Sequence, residues 1–217
     1  MNNQDNQNNK GKFIAFEGID GSGKTTQFDM LISRLKNTGL SCFGTKEPTD
    51  SPIGSLIRQM LTGKIKTDNR VFANLFAADR ADHLLNETDG IYHKINSGLH
   101  VITDRYYFSS YAFNGVDMDM DWVINVNAVN YNILRPDVTL FLDIPVAAAI
   151  ERIKARQQNR ELFENEERLE LTREKYFEAF DKLKNVENVK IIDAEGDIDT
   201  VAEKIWEELR GLFSPVR

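Results

Sequence analysis

Short runs of β-branched and aromatic residues alternate along the chain with longer segments in which apolar positions recur every three or four residues. That alternation is the pattern of parallel strands joined by crossover helices. Strands are expected over 13–17, 41–46, 100–104, 138–143 and 189–193, several of them ending in an acidic residue. In an open α/β sheet ligands bind at the carboxyl edge of the strands, so these acids mark candidate chemistry. Phe28, Leu31, Ile32 and Leu35 share one helical stripe, and Ile53, Leu56, Ile57, Met60 and Leu61 share another. Further helices are expected over 69–85, over 121–134 and from 146 towards 158, the last opened by Pro145. Val201, Ile205, Leu209 and Leu212 mark a closing helix. Between 152 and 173 apolar residues thin out and charge dominates, so this stretch reads as a mobile lid. With no internal repeat and no linker, the expectation is a disordered polar tail over 1–11 and one domain over 12–217, its lid at about 152–170. Residues 2–9 are all Asn or Gln except Asp5, a tract with nothing to pack.

Composition narrows the partners. The 217 residues carry 27 Lys and Arg against 34 Asp and Glu, a formal charge of −7, with 41% apolar residues. Such a chain can bury a sizeable core, but its acidic balance argues against a nucleic-acid or membrane-surface partner. Any bound phosphate must be held by a local site. The single cysteine, Cys42, cannot form an intrachain disulfide; it reads as a small buried hydrophobe in a reducing compartment. The opening residues contain no apolar targeting segment, and no apolar run reaches the ~18 residues of a membrane span, so a cytoplasmic protein is expected. His83, His93 and His100 lack metal-ligand spacing with any cysteine and read as structural or solvated.

Residues 18–25 read G-I-D-G-S-G-K-T, fitting G-x-x-x-x-G-K-[ST] between the first strand and an amphipathic helix. Gly18, Gly21 and Gly23 allow the backbone amides close approach to phosphate, and the helix N-terminus adds partial positive charge. Lys24 reaches the β and γ phosphates, and the Thr25 hydroxyl is a ligand for Mg²⁺. A nucleoside triphosphate is therefore expected, held by Gly18, Ile19, Asp20, Gly21, Ser22, Gly23, Lys24, Thr25 and Thr26. Kinases, switches, motors and transporters all share this loop. The sequence contains neither an N-K-x-D guanine motif nor an L-S-G-G-Q-like signature, which leaves small kinases as the natural class.

Further motifs carry a resemblance. They are F-E-G-I-D-G-S-G-K-T-T from Phe16, K-E-P followed by I-G-S-L-I-R ending at Arg58, L-F-A-A-D-R from Leu75, D-R-Y-Y-F-S-S-Y-A-F-N from Asp104 and R-P-D-V-T-L-F-L-D from Arg135. In this order and spacing the chain resembles the thymidylate kinases, which phosphorylate dTMP with ATP. The resemblance implies an α/β P-loop NTPase fold of three layers, a five-stranded parallel sheet flanked by helices, with a helical lid. It also implies Mg²⁺ as cofactor, ATP and dTMP as substrates, and a homodimer.

The resemblance assigns roles residue by residue. Phe76 and Arg80 stand four apart on an expected helix and so project from one face. By likeness Phe76 stacks on thymine and Arg80 bonds its O4; on the residues alone Phe76 is equally a core aromatic and Arg80 a partner in a surface salt bridge. Glu47, Pro48 and Arg58 match the acceptor wall, and Ser109, Ser110 and Asn114 the stretch facing the pyrimidine edge. Asn114 stands where many bacterial relatives carry Gln. Asp20 is similar to the acid that binds the 3′-hydroxyl, and Phe113 and Phe163 would crowd the 2′ position of the sugar, although each is also a candidate core residue. Asp104 is expected near Mg²⁺ and Arg105 on the acceptor's phosphate, with a structural ion pair as the bland alternative for Arg105. Arg156 would meet ATP and Arg160 the transferring group, with Glu164 orienting the lid and Arg152 in reserve. Asp20, Lys24, Arg105, Arg156 and Arg160 form the expected catalytic set, and Thr25 and Asp104 the metal set.

Two departures stand out. The segment from Lys46 to Asp50 reads K-E-P-T-D where many bacterial members read R-E-P-G-G, and an ammonium does not reproduce a guanidinium fork. Gly21 occupies a position where one branch places an arginine, so charge on the transferring group must be met from elsewhere. The expected chemistry is direct in-line transfer of the γ-phosphoryl to the dTMP phosphate, without a covalent intermediate or general base. The rivals are a kinase of another acceptor, such as dUMP or a free deoxynucleoside, and a non-catalytic switch that reports ATP occupancy.

Overall fold

The computed structural model describes residues 10–156 and 166–213. Five strands, β1 (Phe13–Glu17), β2 (Cys42–Lys46), β3 (His100–Asp104), β4 (Val138–Asp143) and β5 (Val189–Asp193), form one sheet in the order β2-β3-β1-β4-β5. Every pairing is parallel. The two central neighbours of β1 sit in register so that Phe16 lies beside Asp104 and Glu17 beside Phe141, while Lys46 of β2 lies beside Asp104. Thus one sheet edge carries Glu17, Lys46, Asp104 and Asp143 together.

All five residues of β1 are buried, as a strand covered on both faces requires. Phe13 and Ala15 pack with Val101 and Phe141 on one side, against α5 (Tyr107–Gly115) and α9 (Glu166–Leu183). Ile14 and Phe16 pack with Ile102, Leu140 and Leu142 on the other, against α1 (Lys24–Asn37) and α10 (Ile198–Leu209). The period-two alternation of side chains therefore builds the three layers. Between β2 and β3 run α2 (Pro52–Leu61), α3 (Asn69–Leu85) and the short α4 (Ile91–Asn96). Ser51 caps α2 by accepting the Gly54 N–H, with Pro52 at the first helical position, and Asp68 caps α3 by accepting the Arg70 N–H. No helix among the described residues is long and apolar enough to cross a membrane.

The structure departs from expectation in four places. The helix expected over 121–134 is two, α6 (Met120–Val126) and α7 (Ala128–Ile133), broken at Asn127. The second half of the expected lid is packed helix: α9 starts at Glu166, buries Leu169, Thr172 and Tyr176, and ties Arg173 to both carboxylate oxygens of Asp143 at 2.7 and 2.8 Å. Dense charge on its outer face had hidden that apolar stripe. Ahead of the gap in description, α8 (Val146–Arg156) carries residues 152–156, so the lid expectation on 157–165 lies outside the described residues. The expected tail reaches too far, because Gly11 is buried and donates its N–H to the Ile95 carbonyl at 2.8 Å; a Cβ there would meet the Leu99 carbonyl oxygen at 1.9 Å. Finally, Cys42 on edge strand β2 is only half-buried, its thiol pushed up by partial desolvation.

Candidate functional site

The phosphate loop leaves β1 at Gly18 and enters α1 at Lys24. Gly21 has φ 82°, and a Cβ there would stand 2.5 Å from the Ala149 carbonyl oxygen, so only glycine lets the loop turn this closely over α8. Lys24 is 6% exposed and folds back along the loop, its ammonium donating to the carbonyls of Gly18 and Ile19 at 3.0 and 2.8 Å. Burial, reinforced by the charge of Arg105, lowers its pKa to about 8, despite Asp20, Asp104 and Glu17 nearby. Thr25 is exposed at the mouth and donates its hydroxyl to Asp104 Oδ2 at 3.0 Å. Asp104 Oδ1 is buried and has no hydrogen-bond partner among the described residues. Ser22 is buried beneath the loop, and Thr26 continues α1.

Arg105 follows Asp104 with φ 75°, the left-handed region that non-glycine residues rarely enter. Three bonds hold it there. Its N–H donates to the Phe16 carbonyl at 2.9 Å, its carbonyl accepts from the Thr103 hydroxyl at 2.9 Å, and its guanidinium pairs with Asp20. The same guanidinium donates to Ser109 Oγ at 2.9 Å and lies over the Phe113 ring at 4.9 Å. Burial works against its charge, but Asp20, Tyr176, Glu17 and Asp104 raise the pKa above the ordinary arginine value.

Behind Arg105 lies Glu17, fully buried. One of its oxygens accepts the N–H groups of Tyr106 and Ser109 at 2.8 and 3.0 Å, capping α5, and the other accepts the hydroxyls of Ser109 and Tyr176 at 2.6 and 2.8 Å. Desolvation raises the Glu17 pKa, against the opposing pull of Ser109, Arg105, Tyr176 and Tyr106. Neither Glu17 as a cap nor Tyr176 as its partner was visible in the sequence, since they meet only through the fold.

The other half of the site is a cavity of about 350 Å³ lined by Asp20, Glu47, Pro48, Phe76, Arg80, Arg105, Ser109, Ser110, Phe113 and Asn114. Four separate stretches of sequence supply these walls. Phe76 is partly exposed on the cavity and set edge-on to Phe72 at 5.0 Å, so it is not a core aromatic. Arg80 is 1% exposed, which removes the surface-pair reading. Its Nε donates to Glu47 Oε2 at 2.8 Å, and its other nitrogens reach Ser110, Asn127 and the Tyr106 carbonyl. Its neighbour Asp79, also buried, accepts from the Thr49 N–H at 2.8 Å and the Ser51 hydroxyl at 2.9 Å. The D-R pair thus fixes the β2–α2 loop at two points. Arg58 stands off the cavity, bracing the loop by donating to the Pro48 and Thr49 carbonyls.

Lys46 turns away from this cavity and lines a second one of about 560 Å³ with Thr25 and Asp104. Arg152 donates to the carbonyls of Ala194 and Ser22 at 3.1 and 3.5 Å, tying the loop to the segment after β5. Arg156 ends α8, but its side chain, together with Arg160, Phe163 and Glu164, lies outside the described residues. His83 is structural, bridging Glu47 and Thr45.

A glycine-rich phosphate loop thus lies beside a walled cavity, and comparison with known proteins gives the chain's family. The family model described as thymidylate kinase matches residues 16–205. The chain belongs to the thymidylate kinase family. A probable thymidylate kinase of Thermococcus kodakarensis is 37% identical over 202 residues, covering 89% of this chain and 94% of the relative. A putative thymidylate kinase of Aeropyrum pernix is 35% identical over 210 residues, covering 91% and 97%. A probable thymidylate kinase of Pyrococcus horikoshii is 41% identical over 153 residues, covering 68% and 72%. Within a thymidylate kinase the cavity between Phe76 and Arg105 is the candidate acceptor site.

Proposed function

We propose that this member of the family transfers the γ-phosphoryl group of ATP in line to the 5′-phosphate of dTMP, giving ADP and dTDP. The observation that carries the reading is the continuity of the Phe76–Arg80 cavity with Arg105 and Asp20 beside the phosphate loop. An acceptor base between Phe76 and the Pro48 wall would point its phosphate at Arg105. The loop amides and Lys24 hold the donor's β and γ phosphates, and Asp20 receives the 3′-hydroxyl once Arg105 turns to the acceptor's phosphate. Asn114 is 7% exposed on the cavity, where its amide serves the pyrimidine edge. Phe113 closes the sugar side. The acceptor is already an anion, so these residues act by positioning two anions and excluding water.

Thr25 and Asp104 would hold Mg²⁺, and the buried, unpartnered Oδ1 of Asp104 fits a cation. When bound, the ion neutralises charge shared by the donor's terminal phosphates. Arg156 and Arg160 belong to the same proposal as the cations that meet ATP and the transferring group, as do Phe163 at the sugar, a cytoplasmic location and a homodimer.

The test mixes purified protein with ATP, Mg²⁺ and a panel of nucleosides and monophosphates, and follows ADP release. Release stimulated by dTMP above dUMP, dCMP and thymidine is expected. Stimulation by another acceptor instead would reassign the cavity, and ATP binding without release would mark a nucleotide switch.

A further inference from the structure

The break in the helix expected over 121–134 serves the acceptor wall. Asn127, between α6 and α7 with φ −90° and ψ 6°, is fully buried. Its Nδ2 donates to the Val123 carbonyl at 3.0 Å, which fixes the amide's orientation, and its Oδ1 accepts from NH1 of Arg80. A guanidinium only donates and a carbonyl only accepts, so the two contacts agree on that orientation. On the opposite edge of Arg80, Glu47 Oε2 lies 2.8 Å from Nε and 2.6 Å from NH2. Glu47 Oε1 is in turn 3.2 Å from His83 Nδ1, whose Nε2 meets the Thr45 hydroxyl at 2.7 Å. Ser110 and the Tyr106 carbonyl complete the ring of acceptors. Every nitrogen of Arg80 is therefore aimed at a protein acceptor before any substrate arrives.

The choice of a neutral acceptor has a physical reason. Glu47 already balances Arg80, and a second buried carboxylate would add an uncompensated charge. An amide oxygen supplies direction without charge. The NH1 contact to Ser110, at 3.1 Å, is to a hydroxyl that can rotate away, so NH1 can turn that hydrogen to the 4-keto oxygen of a thymine, whereas the 4-amino group of a cytosine presents another donor.

We infer that Asn127 is a positioning residue for acceptor recognition, holding Arg80 in the plane from which it reads the pyrimidine's 4-position. The inference rests on the dTMP kinase reading. Removing the acceptor oxygen lets NH1 swing, and the cost falls on acceptor binding and selectivity.

Three full-length variants test it by steady-state ADP release. Asn127→Leu keeps approximate shape without the acceptor, Asn127→Ser keeps a small residue suited to the helix break but too short to reach Arg80, and Asn127→Asp keeps an oxygen facing NH1. The Leu and Ser variants are expected to raise the KM for dTMP and lower the dTMP-over-dCMP preference by about tenfold each, the scale of one hydrogen bond to a charged group. Their KM for ATP and their kcat at saturating dTMP stay within about twofold on the same scale, and Asn127→Asp, which retains an acceptor for NH1 but adds a second buried charge, unfolds at lower urea than the wild type while raising the dTMP KM less than Asn127→Leu does. If Leu is recovered poorly, Ser carries the measurement, with dTMP affinity read by equilibrium binding. Wild-type dTMP KM and preference in the Ser variant, or an equal rise in Asp and Leu, overturns the role. Absence of dTMP-stimulated release in the unsubstituted protein overturns the kinase reading instead, so the two failures are distinguishable.

Discussion

The phosphate loop and the acceptor wall solve the same problem, holding an anionic nucleotide, by opposite means. The loop is one continuous segment whose donors are backbone amides, and its one ammonium, Lys24, rests on its own carbonyls. The wall is assembled from the loop after β2, α3, α5 and the α6–α7 break, and its central guanidinium is held by side chains from those elements and by the Tyr106 carbonyl. A loop made of backbone loses function when its cation is removed but keeps its fold. A wall made of buried, mutually satisfied side chains loses both together.

The largest expected effect is on the wall. Arg80→Ala leaves Glu47 buried without its counter-charge, which costs about 3–5 kcal/mol of stability, measured by urea unfolding, and raises the dTMP KM of whatever remains folded. Lys24→Ala sharpens the contrast: kcat falls about 100–1,000-fold, as for removal of one transition-state donor, while the urea midpoint hardly moves. An Arg80 variant of wild-type stability, or a Lys24 variant that unfolds, would break the comparison.

Protonation separates the two regions next. Lys24 titrates near pH 8 in the free protein, below its ordinary value of 10.5. Bound phosphates favour the ammonium and raise that pKa, so ATP affinity is flat below pH 8. Above it the affinity falls, approaching tenfold per pH unit. The folding contribution has the opposite sign: between pH 8 and 10.5 the unfolded chain binds the extra proton, so this group's share of stability rises with pH. Calorimetric ATP titrations from pH 7 to 9.5 check the first, with Lys24→Met as the variant that should show no such slope. The smallest effect belongs to the cavity's outer rim. Arg168 bonds both oxygens of Asp117 at 3.1 and 2.8 Å across that rim, with side chains 47% and 33% exposed. Arg168→Ala should therefore cost under about 1 kcal/mol in thermal unfolding, with the dTMP KM shifting by less than the Asn127 variants produce.

The two regions also differ in how legible they were. The loop's spacing, its glycines and its place between a strand and a helix are local properties, so G-I-D-G-S-G-K-T announced itself. Phe76 and Arg80 stand out through the resemblance carried by L-F-A-A-D-R, and a helix puts residues four apart on one face. Arg58, expected on the acceptor wall, donates to the Pro48 and Thr49 carbonyls and does not line the cavity, a placement that no local spacing encodes. Asp79 was quoted only as part of a motif, and its hold on Thr49 and Ser51 needed the loop after β2 to fold against α3.

By itself the sequence determined the five strands nearly to the residue, the three-layer class and the phosphate loop, because alternation, helical stripes and glycine-rich turns are written in neighbouring residues. The tertiary structure alone decided the order β2-β3-β1-β4-β5, the capping of α5 by Glu17, the partnership of Tyr176 with Arg105 and the acceptor ring around Arg80. Those features depend on which distant segments share a sheet edge. They also depend on where a buried polar group must find a partner, even at the expense of a regular helix, as at Asn127.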